Sequence, residues 1–200
     1  MEPDQSFTPQ QSLDLIRNMI QATRGTVADN SFYFLLWGWM VAICCMVAYF
    51  LKVVIHYPQH YLVWWLMPVG GIVSWIYGAR QEKKKRSKSF TDEMLDYVWI
   101  AIAISFIVLV LINMFGGTWQ TATTYYILLY AIGTYITGRI LRFRPLVWGG
   151  LLNFVLAVIS ARLNYDQQLL MGAFAIATSY ILPGHLLRAR FQKEKQEAYA

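Results

Sequence analysis

The residues with the types and spacing to do chemistry are few. His56 and His60 lie four apart in His56-Tyr57-Pro58-Gln59-His60. That spacing lets two imidazoles share a metal on one helical turn, but Pro58 argues against a helix there. Asp166 would add an oxygen ligand only if two separate loops met, so a metal is not expected. Cys44 and Cys45 are adjacent, which excludes a CxxC zinc or redox pair. They fall inside an apolar run, where a thiolate is disfavoured, and read as small packing residues. Asn153 also lies in an apolar run, where an amide needs a partner. A helix-to-helix hydrogen bond is the preferred reading, with a ligand contact as the alternative; Trp37 and Trp148 are the aromatic residues with the same two readings. His185, beside Gly184 and Arg188, reads as a headgroup-level residue. No nucleophile–base pair stands out, and neither catalysis nor a cofactor is expected.

The elements that must carry these residues follow from composition. Of the 200 residues 57% are hydrophobic and 14% charged, with a net charge of +6. Ordinary globular chains are about 45–50% apolar and about 25% charged, so disorder, a coiled coil and a standard cytosolic enzyme are all excluded. A helix crosses a bilayer core with about 20 apolar residues. Runs of that kind occupy 32–55, 61–79, 97–115, 145–161 and 169–187. A sixth, Thr-rich run over 118–141 is the least apolar.

Charge decides whether the sixth run counts. Lys and Arg collect on the cytoplasmic side of short loops. With six spans, all 17 Lys and Arg except Lys52 and Arg162 fall on one face. With five, the basic clusters would face opposite ways. The sequence therefore predicts an all-α, polytopic integral membrane protein with six transmembrane helices over 31–187. Residues 1–30 form a cytoplasmic N-terminal segment and 188–200 a basic cytoplasmic tail. Both termini are expected inside, in the inner membrane of a bacterium.

The N-terminal segment does not read as a signal peptide, since no short apolar core follows a basic start. Thr8, Pro9 and Gln11 form a helix-start pattern, and Leu13, Ile16, Ile20 and Val27 follow at helical spacing. An amphipathic helix is expected, lying on the inner leaflet in preference to serving as a partner-contact face. The loop carrying Arg80, Lys83, Lys84, Lys85, Arg86 and Lys88 is the strongest surface feature. Its expected partner is a bilayer with anionic headgroups, at about 1 kcal/mol per base near the surface. Nucleic acid is not expected, because no folded domain surrounds the basic run.

Tryptophans recur near the inner ends of odd-numbered spans, at Trp37, Trp99 and Trp148. Aromatic–glycine–base patterns close the even spans, at Gly78-Ala79-Arg80, Gly138-Arg139 and Gly184-His185-Leu186-Leu187-Arg188. The spacing fits three parallel two-helix hairpin repeats, and it equally fits the composition common to all bilayer edges. Small residues four apart, Gly70-Ser74-Gly78, Thr134-Gly138, Ala157-Ala161 and Ala173-Ala177, are expected to pack helices within the bundle, in preference to a dimer face.

No Asp, Glu, Lys or Arg falls at mid-membrane, where proton relays and ion-coupled carriers need one. Pro68 and Pro183 are the two positions able to break a span. The function expected is a non-enzymatic structural, regulatory or sensory partner in a membrane complex, docked to a membrane protein or a cytoplasmic protein. The alternative is a binding or transport subunit for a small, largely uncharged molecule. A cavity lined by Trp, Tyr and Asn153 would favour the alternative, and a filled core the first reading.

Overall fold

A computed structural model describes residues 31–83 and 90–197. The expected amphipathic helix in 1–30 and the bases Lys84, Lys85, Arg86 and Lys88 lie outside the described residues. Among those described, the fold is all-helical, as the composition requires. Helix α1 runs Ser31–Val54, its last turn widened to a π-helix at Phe50–Val54. Helix α2 runs His60–Glu82, opening as a 3-10 stretch over His60–Trp65. Helices α3 (Phe90–Phe115), α4 (Trp119–Ile140) and α5 (Arg144–Ser160) follow. Helix α6 starts as Tyr165–Ile176, passes through a π turn at Ala177–Ile181 and continues as Leu182–Glu197.

Four of the six are long and apolar enough to cross a membrane: α1, α2, α3 and the Tyr165–Arg190 part of α6. Helix α5 is apolar but has only 17 residues, about 26 Å at the α-helical rise against a core of about 30 Å. Helix α4 has the length, at 22 residues, but not the mean hydropathy. Part of its polarity is turned inward, while Gln120, Thr121 and Arg139 are exposed. Thr134 and Thr137 are fully buried, and Thr124 meets Ser160 of α5 at 3.0 Å.

Among the pairs formed by α2 to α6, the α4–α5 pairing is the most extensive. Glycine makes it close. A Cβ on Gly150 would lie 2.7 Å from the backbone nitrogen of Tyr135, and one on Gly138 would lie 2.7 Å from that of Val147. A three-residue turn joins the two helices, with the amide of Phe143 donating to the Gly138 carbonyl at 2.9 Å. That Schellman closure puts Arg142 at φ 50°, a left-handed position that glycine more often fills. Helix α1 lies along α6, where a Cβ on Gly38 would come within 2.9 Å of Ile181. Helix α3 lies against α4 through Ile102 and Trp99 at Gly133. Helix α2 rests on α1 through Phe32 and Tyr77, whose rings stack at 3.8 Å. An aromatic chain ties the layers together: Phe34, Trp99 and Tyr180 meet edge-on, and Tyr130 joins Tyr180 at 5.3 Å.

Both prolines that could break a span sit beside an irregular turn, and neither ends its helix. Pro68 lies in the first α-turn after the 3-10 stretch, where Leu66 already bonds back to Val63. Pro183 follows the π turn, in which the Leu182 amide reaches five residues back to Ala177. Proline has no N–H for the carbonyl four residues earlier, and the altered turns absorb that loss.

Candidate functional site

The buried polar groups form a seam between α4, α5 and α6. One face of α6 makes its wall, with Gln168, Gly172, Ala175, Ile176, Ser179, Tyr180, Pro183 and Leu187 all buried at spacings of one, three and four. At its N-terminal end the capping box of Asn164 and Gln167 starts α6, each side chain bonding the other's backbone. One turn in, Gln168 donates to the carbonyls of Ser160 and Leu163 at 3.2 and 3.0 Å. Deeper still, the Asn153 side-chain amide donates to the Ser179 hydroxyl at 2.9 Å. That hydroxyl donates in turn to the Ala175 carbonyl at 2.7 Å. Asn153 therefore makes a hydrogen bond between two helices, the expected geometry.

The seam is not fully satisfied. Among the described residues, Asn153 Oδ1, Gln168 Oε1 and the Thr137 hydroxyl are buried without a hydrogen-bond partner. The Asn153–Ser179 contact coincides with the π turn of α6, a geometry that often marks a functional position in a helix. A Cβ on Gly149 would sit 3.2 Å from the Thr178 carbonyl, so α5 meets this turn backbone to backbone. Amides and hydroxyls can hydrogen-bond a neutral molecule or a water here; they supply no general acid or base at neutral pH.

The other expected residues are placed as follows. Trp37 is half-buried, and its indole N–H donates to Ser74 of α2 at 3.0 Å. Trp148 is 69% exposed and points away from the seam. The tryptophans at the suggested repeat positions thus have unlike surroundings, since Trp99 is packed against Phe34 and Tyr180. Gly70, Ser74 and Gly78 turn toward Met40, Trp37 and Tyr33 of α1, which makes this small-residue row an internal contact. Arg80 and Lys83 are exposed at the end of α2.

Asp166 does not approach a histidine as a third ligand; it pairs with Lys52, whose ammonium also lies 4.4 Å over the Tyr165 ring. His60 packs against Tyr61 and Tyr165. Among the described residues no group of three or more His, Cys, Asp or Glu could hold a metal. Cys44 and Cys45 are free and buried.

Sequence reasoning missed Gln168, Thr137 and Ser160. Gln168 could have been found, because it continues the buried 3–4 spacing of α6 one turn outward. Two outward recesses are visible, one along α1, α2 and α6 and one between α3 and α4, and neither is lined by Asn153, Trp37 or Trp148.

No protein-family model, curated protein or solved structure matches the chain.

Proposed function

We propose that the chain is a six-span, non-enzymatic subunit of a membrane complex, held in a bacterial inner membrane with both termini in the cytoplasm. One observation carries the subunit reading: α2 and α3 contribute little to their own bundle. Only 6% of the apolar stretch of α2 and 11% of that of α3 is buried, against 44% in α6. Trp65, Trp75, Ile107 and Phe115 are all more than half exposed on these two helices. Surfaces of this extent face lipid or partner helices. The inward polarity of α4 supports counting it as a span, since groups hidden in the bundle cost nothing against lipid.

The test is purification from native membrane in mild detergent, followed by mass spectrometry of the proteins that remain bound. A stoichiometric membrane or cytoplasmic partner, lost when Trp75 and Ile107 are changed to alanine, is the expected result. A lone chain carrying only lipid refutes the subunit reading.

A second reading, a binding subunit for a small uncharged molecule, is favoured by the unpartnered Asn153 Oδ1 beside the π turn of α6. The same purification discriminates: a small molecule released on denaturation and absent from Asn153→Leu protein supports it.

A further inference from the structure

We propose that the groove between α1, α2 and the end of α6 is a binding site for one anionic phospholipid of the inner leaflet. The proposal rests on the membrane placement above and is independent of the partner role. The groove holds about 870 Å³ and opens sideways from the bundle. Phe32, Leu35, Leu36, Trp39, Met40 and Ile43 of α1 line one wall, and Leu66 and Tyr77 of α2 the other. Its floor is apolar as far as Cys44.

One end differs. Arg188 and Gln192 lie one helical turn apart on α6, on the side that Gly184 presents to Phe34 and Leu35, and they complete the lining there. Arg188 is exposed and takes part in no ion pair among the described residues. Arg80 and Lys83, with Glu82 between them, leave a net single positive charge at the end of α2. The groove is thus apolar along its length and cationic at its cytoplasmic mouth.

Its depth matches one leaflet. From Ser31 to Cys44 the α-helical rise gives about 20 Å, and from Leu66 to Tyr77 about 17 Å. Half of a bilayer hydrocarbon core is about 15 Å, leaving the remaining length for the glycerol and headgroup level. A molecule that fits has an acyl chain of one-leaflet length and an anion at its end, accepting from the Arg188 guanidinium and the Gln192 amide. A zwitterionic lipid fills the apolar part equally well but gains less from the arginine, so the headgroup charge sets the selectivity.

The test uses the full-length chain in phosphatidylcholine vesicles doped with a diazirine-tailed lipid bearing either a phosphatidylglycerol or a phosphatidylcholine head. After irradiation, adducts are mapped by mass spectrometry. The expected result is adducts concentrated between Phe32 and Ile43 and at Leu66, with a preference of about fivefold for the anionic head. Arg188→Gln is expected to abolish that preference, while Lys193→Gln, outside the groove, keeps it. Leu36→Trp, which fills the groove, lowers labelling by both lipids. Helical content by circular dichroism confirms that each variant is folded. Equal labelling by the two lipids overturns the proposal. So does labelling spread evenly over α3. Vesicles also report the placement itself: a chain removed by alkaline carbonate refutes the membrane reading, whereas one that stays but shows no preference refutes only the lipid site.

Discussion

Replacing Asn153 by leucine keeps the branched shape of the side chain and removes its polarity. Among the described residues the amide makes one hydrogen bond, to Ser179, and leaves its carbonyl oxygen unpartnered at zero exposure. Interhelical hydrogen bonds in membrane bundles contribute about 0.6 kcal/mol on average and about 1.7 at most. A buried acceptor without a partner costs about 1–3 kcal/mol. Leucine loses the first contribution and removes the second penalty, and Ser179 keeps its bond to the Ala175 carbonyl. Asn153→Leu should therefore be neutral, or stabilising by up to about 1 kcal/mol. Ser179→Ala should be worse, at a cost of about 1–2 kcal/mol, because it strands the amide N–H as well. The double variant should return close to Asn153→Leu, so the cycle gives a coupling energy of the sign that a direct contact requires. Asn153→Asp should cost most, about 2.5–3.5 kcal/mol for a carboxylate at the centre of a span. Reversible unfolding in mixed bicelles, followed by circular dichroism, measures all four. A loss above about 1.5 kcal/mol for Asn153→Leu would refute this accounting. It would mean that the amide oxygen has a partner, a buried water or a bound molecule, and would move weight to the binding reading.

Packing at the α4–α5 contact should make Gly150→Ala strongly destabilising, since its Cβ would meet Tyr135 backbone at 2.7 Å; Gly71→Ala, with nothing within 4 Å, should be neutral or stabilising by up to about 1 kcal/mol in the same assay. Lys52→Met should cost no more than about 1 kcal/mol, because the pair with Asp166 is 33% and 40% exposed and is screened; loss of the Tyr165 contact is included, and 1 M salt should halve the effect or more. Reporter fusions after Lys88, Arg144 and Ala200 should all report cytoplasm and one after Gly117 the outside, and a periplasmic C-terminus would refute the six-span topology.

Much of the architecture was legible in single residues. Five apolar runs became α1, α2, α3, α5 and α6, and four of these helices are long and apolar enough to cross a membrane. The capping box of Asn164 and Gln167 is local chemistry, although it was not read from the sequence. What hydropathy could not show was α4, since a transfer scale scores each threonine as if lipid surrounded it. Thr134 and Thr137 meet no lipid; the close approach allowed by Gly138 and Gly150 encloses them.

The same limit applies to the candidate residues. Asn153 could be recognised from sequence as an amide that needed a partner, because hydrocarbon supplies none. That the partner is Ser179, 26 residues away and across a π turn, depends on which faces of α5 and α6 meet. Trp37 and Trp148 look alike in sequence, each followed by a glycine near a span's inner end. One is tucked against Ser74 and the other is 69% exposed, because a rotation of a residue or two about the helix axis decides which neighbour a side chain meets. Composition and charge order determined that the chain is helical and which end of each helix carries the bases. Only tertiary packing decided which polar groups are hidden, which apolar faces are left for lipid or a partner, and that Arg188 stands at the mouth of an apolar groove, because each of these depends on contacts between residues far apart in the chain.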